Sequence, residues 1–463
     1  MVLGDKGVSR RGFLRGAAAI AAGAATLPAL HGLGMLSQNG RAYAAPGSGS
    51  YGTLAPVADL RDGVSRISLP DGFQYRSFGV SGELMTDGNL TPLAHDGMSA
   101  FALPNGNVRL IRNHEDRNGP GLGSISGAGG YDELAGGGCV SLEVDPADRM
   151  LISDFVSING TIVNCAGGST PWGSWLTCEE TTAGTQSAPA WDKPHGYVFE
   201  VPALAGGPVV GIPLTMMGRF AHEAVAVDPS TGIVYETEDN GSTSGFYRYI
   251  PDVPGQLGSG KLQMLAVKGK PNYNTETGQK VGKPLAVTWV EIDDPDPAVI
   301  SSQAVFNQGW DGGGAQFNRL EGCWYADGRI YFASTEGGDA EVGQIWEYEP
   351  HGASGGQLKL IFESPSLDVL YMPDNITVTP RGGLVLCEDS DGDHDFLRGL
   401  TPKGEIFDFA QNLQTGHEWA GACFSPDGDT LFVNRQGTTR FPLLAGNEGM
   451  TFAVWGPWED GAL

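Results

Sequence analysis

From about residue 90 onward the chain alternates short apolar runs with clusters of Gly, Pro, Asn and Asp. Many glycines among short apolar runs read as many turns between short strands. The same unit recurs six times: a polar stretch, a strand, a tight turn, a second strand ending on acidic or polar residues, then usually two more strand-like runs. The turns Pro104-Asn105-Gly106, Asp228-Pro229-Ser230-Thr231-Gly232, Ala326-Asp327-Gly328, Pro380-Arg381-Gly382-Gly383 and Ser425-Pro426-Asp427-Gly428 carry hairpin chemistry. The second strands end at Glu115, Glu179, Glu238, Glu336, Glu388 and Arg435, spaced 64, 59, 98, 52 and 47 residues apart. The widest gap holds an insertion, Pro251–Phe317.

Periods near 40–50 residues with four short strands each describe propeller blades. The pattern therefore predicts an all-β fold, a six-bladed β-propeller over residues 90–460 with a long insertion between the third and fourth blades. Ile67–Val80 reads as a strand that closes the ring by joining the last blade, removing its exposed edge. Two packed β-sandwiches are the alternative architecture. Composition agrees with many turns: 71 of 463 residues are Gly, about twice the usual share. At 40% hydrophobic and 18% charged the chain is neither disordered nor a coiled coil.

The first 44 residues read as an address. Ser9-Arg10-Arg11-Gly12-Phe13-Leu14-Arg15 has the twin-arginine export pattern, an Ala- and Gly-rich run follows, and Ala42-Tyr43-Ala44 fits a cleavage site. The expected organisation is a signal peptide, 1–44, and a single propeller domain, 45–463. It would be delivered by the twin-arginine machinery to the periplasm or the medium. Proteins that cross already folded often carry an inserted cofactor, so an exported enzyme on this route is a metalloprotein suspect. The six Cys, 139, 165, 178, 323, 387 and 423, permit three disulfides outside the cytoplasm. Several lie in apolar strand-like runs, so buried free thiols or a metal-bound thiolate fit at least as well as disulfides.

Charge narrows the partners. There are 54 Asp and Glu against 28 Lys and Arg, a net charge of −26. That disfavours nucleic acid, whose phosphates need basic patches, and suits hard cations such as Ca²⁺; a solvated acidic surface accounts for it as well. The repeat places the acids. In an antiparallel hairpin the start of the first strand and the end of the second lie together. First-strand starts are His95 and Asp96, Pro171 and Trp172, His222 and Glu223, Arg319 and Glu321, Asp374 and Asn375, His417 and Glu418. With the second-strand ends they gather Asp96, Glu115, Asp116, Glu179, Glu180, Glu223, Glu238, Asp239, Glu321, Glu336, Asp374, Glu388, Asp389 and Glu418 on one face near the axis. Carboxylates crowded round one axis repel unless cations sit among them. Cys178, beside Glu179 and Glu180, is either a thiolate ligand suited to iron or a buried thiol at a strand end.

The stretch Asn164-Cys165-Ala166-Gly167-Gly168-Ser169-Thr170-Pro171-Trp172-Gly173-Ser174-Trp175-Leu176-Thr177-Cys178-Glu179-Glu180 resembles the signature of the PhoX-type alkaline phosphatases. The leader, Asn113-His114-Glu115, His222-Glu223 and Asn318-Arg319-Leu320-Glu321 fit the same family. The resemblance implies a six-bladed propeller, an iron and calcium cluster (Fe³⁺ and Ca²⁺), and hydrolysis of small phosphomonoesters outside the cytoplasm. It implies that Cys178 binds iron, that Glu179, Glu238 and Glu321 are metal carboxylates, and that Arg319 binds phosphate. Glu115, Glu180, Glu223, Asp239, Asp374 and Glu388 complete the metal-ligand candidates. His222, with His114 and His417, is a candidate to protonate the leaving alcohol or to orient ligands. A monomer is expected. The competing readings are a Ca²⁺-dependent lactonase-like hydrolase and a non-enzymatic Ca²⁺-binding propeller, neither of which needs a thiolate or a phosphate-binding Arg.

Overall fold

A computed structural model describes residues 51–463 apart from 122, 300, 390–394, 415–416, 441 and 444–445. The expected leader, 1–44, lies outside the described residues. Strands β1 (Ala55–Ala58), β2 (Ser65–Leu69) and β3 (Gln74–Phe78) precede the repeats. A four-stranded sheet follows: β4 (His95–Ala102), β5 (Val108–His114), β6 (Gly137–Val144) and β7 (Leu151–Thr161). Next comes a three-stranded sheet of β8 (Asn164–Ser169), β9 (Ser174–Glu179) and β10 (Val198–Pro202).

The chain then runs through β11 (His222–Val227), β12 (Val234–Glu238), β13 (Phe246–Val253), β14 (Gln256–Val267), β15 (Pro284–Glu291) and helix α1 (Ala304–Asp311). It continues into β16 (Leu320–Ala326), β17 (Arg329–Ser334), β18 (Gln344–Pro350) and β19 (Gly356–Glu363). These strands make one nine-stranded sheet, two four-stranded meanders joined through β15, which pairs with β14 on one side and β19 on the other. The insertion is thus smaller than the sequence suggested. Much of Pro251–Phe317 supplies β14 and the end of β13, ordinary outer strands, and only β15, α1 and their loops are additional.

A further sheet contains β20 (Pro373–Val378), β21 (Leu384–Glu388), β22 (Phe396–Leu400) and β23 (Ile406–Asn412), extended by β2 and β1. The last holds β24 (Trp419–Phe424), β25 (Leu431–Arg435) and β26 (Met450–Trp455), with β3 as its fourth strand, Thr451 opposite Phe78. The N-terminal segment therefore closes the last sheet, as its apolar pattern predicted, and β2 also ties the preceding sheet to the start of the chain. The fold is all-β and propeller-like, with apolar cores between successive groups of strands, such as Tyr235, Phe246, Phe332, Trp346 and Tyr348 between the two meanders of the nine-stranded sheet. Among the described residues no helix is long and apolar enough to cross a membrane.

Two features make the axis. The first strands pack as a closed ring: β4 on β8, β8 on β11, β11 on β16, β16 on β20, β20 on β24, and β24 back on β4. One backbone bond also recurs six times. The N–H groups of Glu115, Glu180, Asp239, Thr335, Asp389 and Gln436, each just past a second strand, donate to the carbonyls of Ala94, Val163, Ala221, Arg319, Met372 and Glu418, each just before a first strand. The axis is tight enough to require small residues. A Cβ on Gly97 would lie 2.5 Å from the Ala166 Cα, and one on Gly322 would lie 2.6 Å from the Ile376 nitrogen.

Candidate metal centre

Each first strand enters the ring with a register break. The breaks fall between His95 and Met98, Asn164 and Gly167, His222 and Val225, Leu320 and Cys323, and Pro373 and Ile376. A bulge re-aims a side chain that regular pleating would send into the sheet. The re-aimed residues are Asp96, Cys165, Glu223, Glu321 and Asp374. In the sixth strand the break lies between Ala420 and Cys423, and Glu418, before the strand, supplies the acid instead. Ala94, Val163, Arg319 and Met372, each two residues before a re-aimed side chain, have φ of 53°, 51°, 47° and 49°. Non-glycine residues rarely adopt that left-handed turn, so its recurrence marks a built feature of the ring.

The result is three groups whose ligand atoms all lie within 4.8 Å of one another: Glu115, Cys165 and Glu180; Asp96, Glu115 and Glu418; and Glu223, Glu321 and Asp374. Glu115 belongs to two of them. Every one of these side chains is buried. Asp239 and Asp389 lie beside them, acting electrostatically on Glu321 and Asp374. Burial and the surrounding negative charge push the carboxyls of Asp96, Glu223, Glu321 and Glu418 well above the usual carboxylate range. The same causes bring Glu180 to about 8 and Asp374 to about 7, burial being the larger in each. Burial, then Asp96, Glu223, Glu180 and Glu115, likewise push up the Cys165 thiol. Glu223 is fully buried and neither carboxylate oxygen has a hydrogen-bond partner. A buried carboxylate left unpaired is costly, and with Glu321 and Asp374 these oxygens form a group of the kind that can hold a cation.

Two guanidinium groups stand among the acids. Arg319 donates from Nε to Asp239 Oδ1 at 3.1 Å and from Nη2 to Glu321 Oε1 at 2.8 Å. Its Nη1 forms only a long ion pair with Glu336 Oε1 at 3.7 Å, and the side chain is 26% exposed. Arg117 bridges Glu115 and Glu180, and its side chain is 51% exposed.

Of the residues singled out in the sequence, Glu115, Glu180, Glu223, Asp239, Glu321, Asp374 and Arg319 meet here. Five others do not. Cys178 packs with Leu176, Val198, Met217 and Phe220 in the core between sheets, and Cys165 provides the thiol among the carboxylates. Glu179 accepts from His195 Nδ1 at 2.6 Å, Gly196 N at 2.8 Å and Ile162 N at 3.0 Å, inside its own sheet. Glu238 accepts from Tyr247 Oη at 2.7 Å and Gly245 N at 3.0 Å. Glu388 accepts from Arg398 Nε at 2.7 Å, Phe396 N at 3.0 Å and Tyr371 N at 3.1 Å. The physical reason is shared. Consecutive residues at a strand end point to opposite sides, so Glu179, Glu238 and Glu388 fix the sheet while Glu180 and Asp239 continue to the axis.

His222 is the fifth. It is stacked on Phe220, its ring donates from Nδ1 to the Gly196 carbonyl at 3.1 Å, and Nε2 meets Glu236 at 3.0 Å. Burial lowers it to about 4, so it is a neutral structural group. His114 is buried in the same way against the Leu93 carbonyl. Pro171 and Trp172 are not a strand start; they occupy the turn between β8 and β9, and Trp172 is partly exposed. All six cysteines are free and buried. Sequence reasoning passed over Cys165 and Arg117. The available signal was the repeated first-strand start of an acid or Cys followed by Gly, Ala or Asn: Asp96-Gly97, Cys165-Ala166, Glu223-Ala224, Glu321-Gly322, Asp374-Asn375.

Fold and site together define a propeller-like protein whose axis carries acid-rich groups disposed to hold cations. The chain matches the family Alkaline phosphatase PhoX over residues 50–438. It belongs to that family and is an alkaline phosphatase, a phosphoric monoester hydrolase. Among solved structures it is similar to Pseudomonas fluorescens PhoX in complex with vanadate, a transition-state analogue. The TM-score is 0.65 and the identity 19%, covering 89% of this chain and 98% of that one. A gluconolactonase from Xanthomonas campestris is more distant, with a TM-score of 0.38 and 11% identity over 88% of this chain and 98% of its own. No curated protein matches the chain by sequence.

Proposed function

We propose that the axial groups bind iron and calcium and that the protein is an exported, metal-dependent phosphatase acting on small phosphomonoesters. The observation that carries the metal reading is Glu223, a fully buried carboxylate with two unpartnered oxygens facing Glu321 and Asp374. An oxygen-only group suits a hard cation such as Ca²⁺, as does the Asp96–Glu115–Glu418 group. Cys165 with Glu115 and Glu180 adds a softer donor and suits Fe³⁺. Bound there, such ions supply positive charge to the phosphoryl oxygens and acidify water, the two things a very slow hydrolysis needs.

The chain's own groups do the rest. Glu115, shared by two groups, would supply a ligand oxygen to an ion in either. Asp239 and Glu321 anchor the inner edge of Arg319, leaving Nη1 for the non-bridging oxygens of a phosphate. Arg117 at the more exposed edge adds a second positive group. We read the nine-stranded sheet as two blades fused through β15. That makes six blades, supported by the ring of six first strands and the backbone bond repeated six times. The leader with Arg10 and Arg11 supports twin-arginine export of a mature chain starting near Ala45, to the periplasm or medium, as a monomer.

Two assays on the exported protein test this: elemental analysis, and phosphate release from a simple phosphomonoester before and after chelation. Iron with calcium, and release lost on chelation and restored by both metals, is the expected result. Calcium without iron, or release that survives complete metal removal, would overturn it. N-terminal sequencing that begins at Met1 would overturn the export reading.

A further inference from the structure

Ligand residues on a ring of strands need something to hold the strands' backbones still. In this protein the holders are side chains on the second strands of adjacent hairpins. Asn113 on β5 donates from Nδ2 to the Cys165 carbonyl at 3.1 Å and the Ala166 carbonyl at 2.7 Å on β8. Its Oδ1 accepts from Trp175 Nε1 at 2.8 Å, Thr177 Oγ1 at 2.9 Å and the Cys139 thiol at 3.0 Å. Thr237 on β12 donates from Oγ1 to the Glu321 carbonyl at 2.6 Å on β16 and accepts from Ala224 N at 3.0 Å. Asn434 on β25 donates from Nδ2 to the Asp96 carbonyl at 2.6 Å on β4, while its Oδ1 accepts from Thr451 Oγ1 at 2.7 Å. Thr335, just past β17, donates to the carbonyl of Pro373, immediately before Asp374.

Asn113, Thr237 and Asn434 occupy equivalent places, each one residue before the end of a second strand. All three are fully buried. Each reaches across to the next first strand of the ring, and each takes the carbonyl of a residue whose own side chain belongs to one of the axial groups. A hydrogen bond to that carbonyl fixes the peptide at the bulge, and the bulge sets the direction of the ligand side chain.

We infer that Asn113, Thr237 and Asn434 are positioning residues that hold Cys165, Glu321 and Asp96 in ligand geometry from the second strand of the adjacent hairpin. None of the three touches a ligand atom; they act through the ring backbone. The inference rests on the axial groups being a metal centre. Outer partners of this kind affect metal affinity by roughly 10- to 100-fold when removed.

Thr237 allows the cleanest test, because Thr→Val keeps shape and removes the hydroxyl, and Thr→Ser keeps the hydroxyl. Thr377 provides the control: it is fully buried on β20 and its Oγ1 has no hydrogen-bond partner, so Thr377→Val removes a buried hydroxyl that holds nothing. The purified full-length enzyme and the three variants are exposed to excess chelator. Calcium release is followed over time, with the unfolding temperature measured alongside. Thr237→Val should release calcium roughly 10- to 100-fold faster than the parent, while Thr237→Ser and Thr377→Val should release it at the parent's rate. Release by Thr237→Val at the parent's rate, or equal acceleration in Thr377→Val, would overturn the inference while leaving the metal centre in place. A parent protein that carries no metal would overturn the metal reading, and this inference with it. If Thr237→Val does not fold, Asn113→Ser, which shortens the clamp but keeps a donor, should show the accelerated loss in metal content instead; parent-like retention there would also overturn it.

Discussion

Replacing Glu223 by Gln should change stability in opposite directions with and without calcium. In the ion-free group, Glu223, Glu321 and Asp374 have oxygens within 4.8 Å of one another. Two full charges at that separation repel by about 3.5 kcal/mol at an effective dielectric of 20, so three ionised groups would cost on the order of 10 kcal/mol. Protons held by the raised carboxyls relieve part of this. Glu223→Gln removes one member of two repelling pairs and offers an amide that donates to Glu321 and Asp374. Under chelator the variant should unfold at a temperature equal to or above the parent's. With calcium the sign reverses. At 100 times the parent's dissociation constant, bound ion adds about 2.7 kcal/mol; a variant with 100-fold weaker binding keeps about 0.4 kcal/mol. The loss of roughly 2.3 kcal/mol corresponds to about 3 °C at roughly 2 cal/mol/K of unfolding entropy per residue. Calorimetry of parent and variant in excess chelator and in calcium gives the four midpoints. The same displacement in both conditions would refute the assignment of Glu223 as a ligand.

Three further outcomes follow from the site. Arg319→Lys keeps the charge and loses the planar fork; metal content should stay at the parent's level while phosphate inhibition weakens and kcat/KM falls roughly 10- to 100-fold, the effect of losing a charged hydrogen bond of ~1.5–3 kcal/mol. Cys165→Ser should lose iron and activity together, whereas Cys178→Ala should keep iron and lose only packing, roughly 1–2 kcal/mol by denaturant unfolding; the reverse pattern would return the ligand role to Cys178. Glu180 and Asp374, raised by burial to about 8 and about 7, bind a proton more tightly folded than unfolded, so their contribution is fully present below about pH 4 and is lost as pH rises through 7 to 8. Denaturant midpoints in chelator should fall across that window and flatten when calcium is added; a midpoint that rises there contradicts the buried cluster.

The repeat was legible because its turns are chemically explicit: Pro104-Asn105-Gly106 and Ser425-Pro426-Asp427-Gly428 sit between β4 and β5 and between β24 and β25, and β3 closes the last sheet. The second repeat was displaced because β8, Asn164-Cys165-Ala166-Gly167-Gly168-Ser169, is made of small residues that give no apolar alternation, so the strand start slid to Pro171. The acidic axis was legible as a face but not residue by residue. Glu179-Glu180 and Glu238-Asp239 present two adjacent acids, and only the strand's phase, fixed by the bulges and by partners such as His195 and Tyr247, decides which one turns inward. His222-Glu223 shows the same ambiguity, resolved by burial of the imidazole against Phe220 and Glu236. The contacts of Asn113 and Thr237, whose amide and hydroxyl hold the ring, were not legible because their partners lie in other repeats.

The most direct test of the metal centre is anomalous diffraction from crystals of the exported protein at wavelengths that separate iron from calcium. An iron peak is expected within bonding distance of the Cys165 sulfur and the Glu115 and Glu180 carboxylates, with calcium at Glu223, Glu321 and Asp374. An iron peak beside Cys178, or an axial ring with neither metal, would contradict this assignment.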